Sequence, residues 1–227
     1  MTGLRDRLRE VPAPEPVLSR EQETLLTERQ REILDELGRI FDKGFVDITM
    51  AELASQLNCS LRTLYGLAEG RNALVLMVVD RNLRKVGRVA NRAIDDDMTA
   101  LAAVRSYLSA ATVAVQGTTP EFADDMASFE EGRALNAAHS EYLIDVTRAL
   151  LDVAVEQHEI APVDTAAVAR MIAGLGAEFA RPDVMLALAS SPKDAADAMV
   201  DVVLAGLPKG PGGPTEERVA ARQTGTA

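Results

Sequence analysis

Ser60, Arg62, Thr63 and Tyr65 bring short and long polar side chains together within six residues. Arg62 can offer paired donors to a guanine edge or to a phosphate, Thr63 can donate to phosphate or touch a thymine methyl, and Tyr65 can give its hydroxyl to a nucleic-acid backbone. This is the chemistry of recognition. Bond-making chemistry finds less support. No nucleophile stands at a recognisable spacing from a base, and no phosphate loop is present. His139 and His158 lie nineteen residues apart, with Glu141 and Glu156 but no spaced ligand pair, and read as surface or hydrogen-bonded residues. Gly174 and Gly176 begin like a dinucleotide fingerprint, but Phe179 takes the third glycine's place and no strand precedes them. The single cysteine, Cys59, excludes a disulfide framework and a cysteine-based zinc finger, and reads as a small core residue in an apolar turn. The expectation is a protein that is not an enzyme and takes no cofactor and no metal.

The elements that must position these side chains are helices. Leu26, Ile33, Leu34, Leu37, Ile40 and Phe41 recur at helical steps, with Gln30 the one polar member of the stripe. Gly44 can end that helix in the left-handed conformation, and Phe45 beside it can fold back on the last turn. Thr49-Met-Ala-Glu52 is a capping box that starts a second, short helix running to about Leu57. Asn58 suits a tight turn, and Ser60 is placed to cap a third helix over Leu61 to Leu67. Two short helices joined in this way form a helix-turn-helix, which lays its second helix in the major groove. Leu57, Leu61 and Leu64 are expected to bury the motif against Leu53 and the first helix. A fourth helix, about Asn72 to Asp95, follows the Glu69-Gly70 break. Further helices are expected over Met98 to Val115, Pro120 to Leu135, Ala138 to Glu159, Asp164 to Ala180 and Pro192 to Leu207, divided by Gly117, Pro162, Pro182 and Pro192. No alternating run reads as a strand, so the expected class is all-α.

From Arg31 to Leu74 the register resembles the DNA-binding region of the TetR (tetracycline repressor) family of bacterial transcriptional regulators. Ile33, Leu34, Ile40-Phe41, Gly44-Phe45, Ile48-Thr49, Leu53-Ala54, Leu57, Ser60, Thr63-Leu64-Tyr65 and Leu74 carry it. The resemblance implies that Thr49, Thr63 and Tyr65 contact phosphates, that Ser60, Leu61 and Arg62 face the bases, and that the fourth helix links to a ligand-binding domain. Three places depart from the pattern. Asn58-Cys59 replaces a usual Gly-Val, Leu67-Ala68 replaces a polar residue or His followed by an aromatic, and Arg71 stands where Lys is common. Arg71 keeps the charge and with it a phosphate contact. Leu67 removes a polar contact, and Ala68 leaves a smaller plug between the motif and the fourth helix.

The 227 residues carry 24 Lys+Arg against 35 Asp+Glu, a formal net charge of −11, with 47% apolar residues. The charge is divided unevenly. Residues 1 to 94 hold 15 basic and 14 acidic side chains, whereas residues 95 to 227 hold 9 and 21. An acidic second part argues against general adhesion to nucleic acid but leaves a local contact open to the first part. Residues 1–27, with Pro12, Pro14 and Pro16, are expected to form a flexible arm, because Asp6, Glu10, Glu15, Glu21 and Glu23 offset Arg5, Arg7 and Arg9 as minor-groove contacts. Residues 28–75 are the expected DNA-binding domain, 76–207 a helical effector-binding and dimerisation domain, and 208–227 a disordered tail. The longest bulky apolar run, Leu74 to Val79, stops at Asp80, far short of a membrane span, and the N-terminal residues lack a secretory apolar stretch. The expected location is cytoplasmic, with no membrane partner.

Tyr107, Phe122, Met126, Phe129 and Tyr142 are candidates to line a pocket for an unidentified small-molecule effector. Val168, Met171, Ile172, Leu175 and Phe179 make one apolar stripe, and Met199, Val202 and Val203 belong to another. Gly174 and Gly176 suit close helix approach. The TetR resemblance implies that these last two long helices pair with their copies in a homodimer. Two recognition helices about 34–36 Å apart then read a near-palindromic operator on double-stranded DNA. The function expected is a ligand-responsive repressor; the alternative is a helical sensor or interaction protein of the same fold that has lost DNA binding.

Overall fold

The computed structural model describes residues 3–114, 119–179, 181–185 and 187–210. In chain order the helices among them are α1 (Leu4–Arg9), α2 (Arg20–Leu25), α3 (Glu28–Phe41), α4 (Met50–Gln56), α5 (Leu61–Tyr65), α6 (Arg71–Arg92), α7 (Ala100–Ala114), α8 (Pro120–Ala127), α9 (Glu130–Glu156), α10 (Thr165–Phe179), α11 (Pro182–Met185) and α12 (Pro192–Gly206). The all-α class is as expected. The extended pairing seen among the described residues is one isolated antiparallel bridge, Ile160 with Lys209.

Local chemistry sets most of the boundaries. Capping boxes at Ser19, Thr27 and Thr49 start α2, α3 and α4. Ile33, Leu34, Leu37 and Phe41 recur every three or four residues along α3 and are all buried. Gly44, at φ 101°, and Asn58, at φ 48°, take the left-handed conformations that end the first and second helices of the motif. The break expected between Leu135 and Ala138 falls instead at Ser128 and Phe129. Neither residue is a helix breaker, and the corner is tertiary: Ser128 Oγ and an Arg133 guanidinium nitrogen each donate, at 2.6 Å, to the Asp125 and Ala127 carbonyls. A Cβ at Gly132 would lie 2.5 Å from the Met126 carbonyl oxygen, so only glycine permits this approach.

Two compact units account for the chain. One comprises 13–89 and 111–142; the other comprises the residues before 13, 90–110 and those from 143 onward. This division differs from the boundaries expected at residues 75 and 76, because α6 is continuous there and α8 packs in the same unit as the helix-turn-helix. The expected flexible arm is corrected as well. In the second-named unit, Leu4 and Leu8, one helical turn apart on α1, are buried. Arg5 donates to the Ile94 carbonyl and the Asp95 carboxylate, both at 3.1 Å, and Arg7 pairs with Glu156. Acidic partners distant in sequence hold what local charge balance had suggested was free. Residues 208–210 are likewise fastened, since Ala161 N–H donates to the Pro208 carbonyl at 2.8 Å and Gly210 N–H to that of Glu159 at 3.3 Å. The rest of the expected tail, 211–227, and the expected break at Gly117 lie outside the described residues.

In the other unit the proline-rich stretch is anchored by Asp80, whose side chain is only 3% exposed. Its carboxylate accepts from Val17 N–H at 3.0 Å, from Arg84 Nε at 3.0 and 3.1 Å, and bonds His139 Nε2 at 2.9 Å. Arg84 also donates to the Pro14 carbonyl. Burial pushes the Asp80 carboxyl up, but the bonds from His139, Val17 and Arg84 outweigh it and hold the group below its ordinary value. A depressed carboxylate contributes stability above its unfolded-state value and loses that contribution as pH falls through the folded one. Asp80→Asn should therefore cost about 3 kcal/mol at neutral pH by stranding Arg84. Urea unfolding at pH 7 and on the acid side checks this, and the gap to the parent should narrow below about pH 4.

Candidate nucleic-acid interface

α4 and α5 are too short to persist alone, and their shared core holds them. Leu53, Ala54, Leu57 and Leu64 are buried in one cluster with Ile33, Leu34, Leu37 and Phe41 of α3 and Leu74 and Val75 of α6. An Arg29 guanidinium nitrogen donates to the Leu57 carbonyl at 2.8 Å and so covers the C-terminal end of α4. Ala68 is buried in this cluster, and Leu67 packs against it. The two departures from the TetR pattern thus face inward, and Leu67 adds to the core rather than leaving an apolar gap on the outer face. Cys59 also packs against the cluster, where burial raises its thiol above the ordinary value despite the nearby Arg29 charge. This suits the role of a filler rather than a reactive thiol.

The outer face carries most of the expected contact residues. Leu61 is 44% and Tyr65 54% exposed, and Arg62 is exposed. Leu61 therefore does not bury the motif against Leu53, which Leu57 and Leu64 do; its side chain stands on the same outer face as Arg62. Ser60 Oγ accepts from Thr63 N–H at 3.1 Å and lies 2.9 Å from Thr63 Oγ1, so these hydroxyls fix the start of α5. Thr49 is exposed, and its hydroxyl donates to a Glu52 carboxylate oxygen at 2.7 Å. Bonds from the backbone and side chain of Thr49 hold the Glu52 carboxyl below its ordinary value. A phosphate arriving at Thr49 meets that negative charge and must take the hydroxyl from it. The Arg71 guanidinium donates to the Val46 carbonyl, so part of it is engaged by protein.

The remaining expected sites are only partly assembled. Phe122, Met126 and Phe129 belong to the helix-turn-helix core, where the rings of Phe122 and Phe129 meet Phe45 edge-on at 6.1 and 6.3 Å between centroids. Tyr107 is buried in the other unit, and the Tyr142 ring lies beside Gly87. Phe122, Met126 and Phe129 thus serve as packing residues of the helix-turn-helix unit. An open depression of about 390 Å³ is lined instead by Glu36, Arg39, Ile40, Lys43, Gly44, Ile48 and Gln56. α10 packs on α12. Ile172 is buried within the chain, Val168, Leu175, Phe179, Met199 and Val203 are half-buried, and Met171 and Val202 are 48% and 64% exposed. A Cβ at Gly174 or Gly176 would meet open space, so among the described residues neither makes a close helix approach.

Comparison with solved structures gives the arrangement a setting. A TetR transcription regulator from Haloarcula marismortui superposes with a TM-score of 0.69, covering 80% of this chain and 99% of its own at 14% identity. The TetR family regulator PfmR from Thermus thermophilus gives 0.56 over 78% and 99% at 22% identity. The chain has the TetR fold. AibR, solved in complex with isovaleryl coenzyme A and operator DNA, shares this TetR fold with a TM-score of 0.57 over 77% of this chain and 97% of its own, at 20% identity. No family model and no curated protein matches the sequence. Among the described residues no helix is long and apolar enough to cross a membrane.

Sequence reasoning missed the residues that fix the corner before Thr49. Gly44 combines φ 101° with a Cβ position 3.2 Å from both Asp125 Oδ2 and Glu121 Cβ. The glycine was legible in the chain as a helix stop, but the α8 residues above it are some 80 positions away and carry no local signal. Gly44→Ala should lower stability by about 2 kcal/mol, from left-handed strain and the displaced carboxylate. The check is a fall in the urea unfolding midpoint.

Proposed function

We propose that the chain is a DNA-binding transcriptional regulator that acts as a homodimer and responds to a small-molecule effector. The observation that carries this reading is the outer face of α5, where Leu61, Arg62 and Tyr65 project from a buried helix-turn-helix within a TetR fold. In this reading Arg62 and Leu61 meet base edges, Tyr65 and Thr63 meet phosphates, and Arg71 holds the fold of the reading head. Two copies join through α10 and α12, burying Met171 and Val202, and the operator is a near-palindrome in duplex DNA. The complex of AibR with a coenzyme A thioester and operator DNA supports a ligand-responsive regulator on this fold. Repression rather than activation follows from the resemblance of residues 31–74 to the tetracycline repressor family. The protein works in the compartment that holds the genome, the cytoplasm of a bacterial-type cell.

An effector acts by favouring one arrangement of the paired reading heads, and a differential affinity of about 1–3 kcal/mol lowers operator affinity roughly 5- to 150-fold. The uneven charge favours a second reading, a sensor of the same fold without DNA binding. Selection of genomic fragments by the purified protein, followed by a salt titration on the best fragment, separates the two. A regulator retains one near-palindromic site and loses affinity steeply with salt; the sensor retains nothing above background.

Two substitutions test the assignments. Arg62→Ala should weaken the selected site by about 1–3 kcal/mol while affecting random DNA less, and equal losses would assign Arg62 to phosphate alone. Met171→Glu should dissociate the dimer by burying a charge at its interface. An unchanged sedimentation coefficient would place the interface elsewhere.

A further inference from the structure

The corner between α3 and α4 is held by a helix remote in sequence. Asp125 of α8 turns its carboxylate onto two successive backbone amides: Oδ2 accepts from Phe45 N–H and from Val46 N–H, the second at 2.9 Å. The carbonyl of Val46 is taken from the other side by Arg71, the first residue of α6. One peptide segment is thus fixed between an anion and a cation carried on separate helices. Around it Thr119 N–H donates to the Asp42 carbonyl at 2.9 Å, and the Phe45 ring packs edge-on against Phe41, Phe122 and Phe129. Gly44 leaves the space that lets α8 approach. The held segment leads directly to Thr49, the cap of α4, with Ile48 N–H donating back to the Phe45 carbonyl at 3.2 Å.

We propose that Asp125 is a positioning residue for DNA reading: through Phe45 and Val46 it sets the start of α4, and with it the pose of Thr49 and of the α5 face. This rests on the regulator reading above. Asp125 itself touches no DNA in this scheme. Its effect is on the geometry of groups that do, so its loss changes affinity without removing a phosphate contact. Coupling between two parts of one molecule is reciprocal. Operator binding therefore tightens α8 as α8 tightens the reading head.

The test uses the full chain with Asp125→Ala and Asp125→Asn, on the operator fragment selected by the parent protein. Asp125→Ala should speed amide exchange at Phe45 and Val46. It should weaken the operator about tenfold, a size typical of coupling residues that touch neither ligand. The slope of log affinity against log salt should stay unchanged, whereas loss of a phosphate contact reduces it by about one. Asp125→Asn keeps a carbonyl oxygen in place to accept both amides and should recover most of the affinity. In the parent, operator binding should slow exchange across residues 119–129. Titration of the active fraction at low salt separates this from misfolding. The proposal is overturned if Asp125→Ala binds as the parent does, if its loss matches the loss of active fraction, or if its salt slope falls by one. It is also overturned if exchange across 119–129 ignores the operator. If the parent itself selects no fragment, the regulator reading fails with it; if only the variants behave like the parent, this proposal fails alone.

Discussion

Everything on the recognition face depends on a length constraint. A helix of seven residues and one of five make too few backbone hydrogen bonds to offset their nucleation cost in water. α4 and α5 exist because Leu53, Leu57 and Leu64 are buried against α3 and α6, and because caps at Thr49 and Ser60 satisfy the first amides of each. The outward residues Leu61, Arg62 and Tyr65 inherit their orientation from the inward ones. A side chain on the outer face of α5 is therefore positioned by residues that are themselves buried. Leu67 and Ala68 belong with the second group, which is why their departure from the TetR pattern bears on packing more than on contact.

The same constraint brings α8 into the unit. The buried Phe45 ring meets Phe41 of α3, Phe122 of α8 and Phe129 edge-on. Once α8 lies there, the amides freed by the Gly44 turn need an acceptor, and the Asp125 carboxylate supplies it. Apolar closure and polar satisfaction therefore select the same partner helix, and agreement between levels of this kind marks a uniquely specified arrangement. It also gives Phe122 and Phe129, whose apolar character had offered them to a ligand pocket, a place in closing the core.

How much of this the sequence disclosed follows the range of the forces involved. The turns at Gly44 and Asn58, the capping box at Thr49 and the cap at Ser60 are local, and each could be read from a few neighbouring residues. The all-helical class followed from periodicity. What escaped was set at long range. α1 and the proline-rich stretch looked free because their own charges nearly cancel, yet Glu156 and Asp95 hold α1 and Asp80 holds the stretch in its own unit. The corner at Ser128 has no breaker because Gly132, four residues later, makes the room. Leu61 fits the inward stripe and the outward face equally well in sequence, since in a helix this short periodicity cannot tell a flank from a face.

In the regulator reading, charge limits where nucleic acid can approach. Residues 95 to 227 hold 21 acidic against 9 basic side chains and repel a polyanion over most orientations. Arg5 and Arg7 pair with Asp95 and Glu156, so their charge is offset where it stands. Even Thr49 shares its hydroxyl with the Glu52 carboxylate. In the regulator reading it is the local field around Arg62, not the net charge of the chain, that meets phosphate. In that reading specificity is a difference between affinities, and base-edge contacts from α5 supply the part of it that phosphate contacts do not. An acidic chain is thus compatible with selective DNA recognition, provided that the few outward residues of α5 are held as firmly as the core beneath them holds them here.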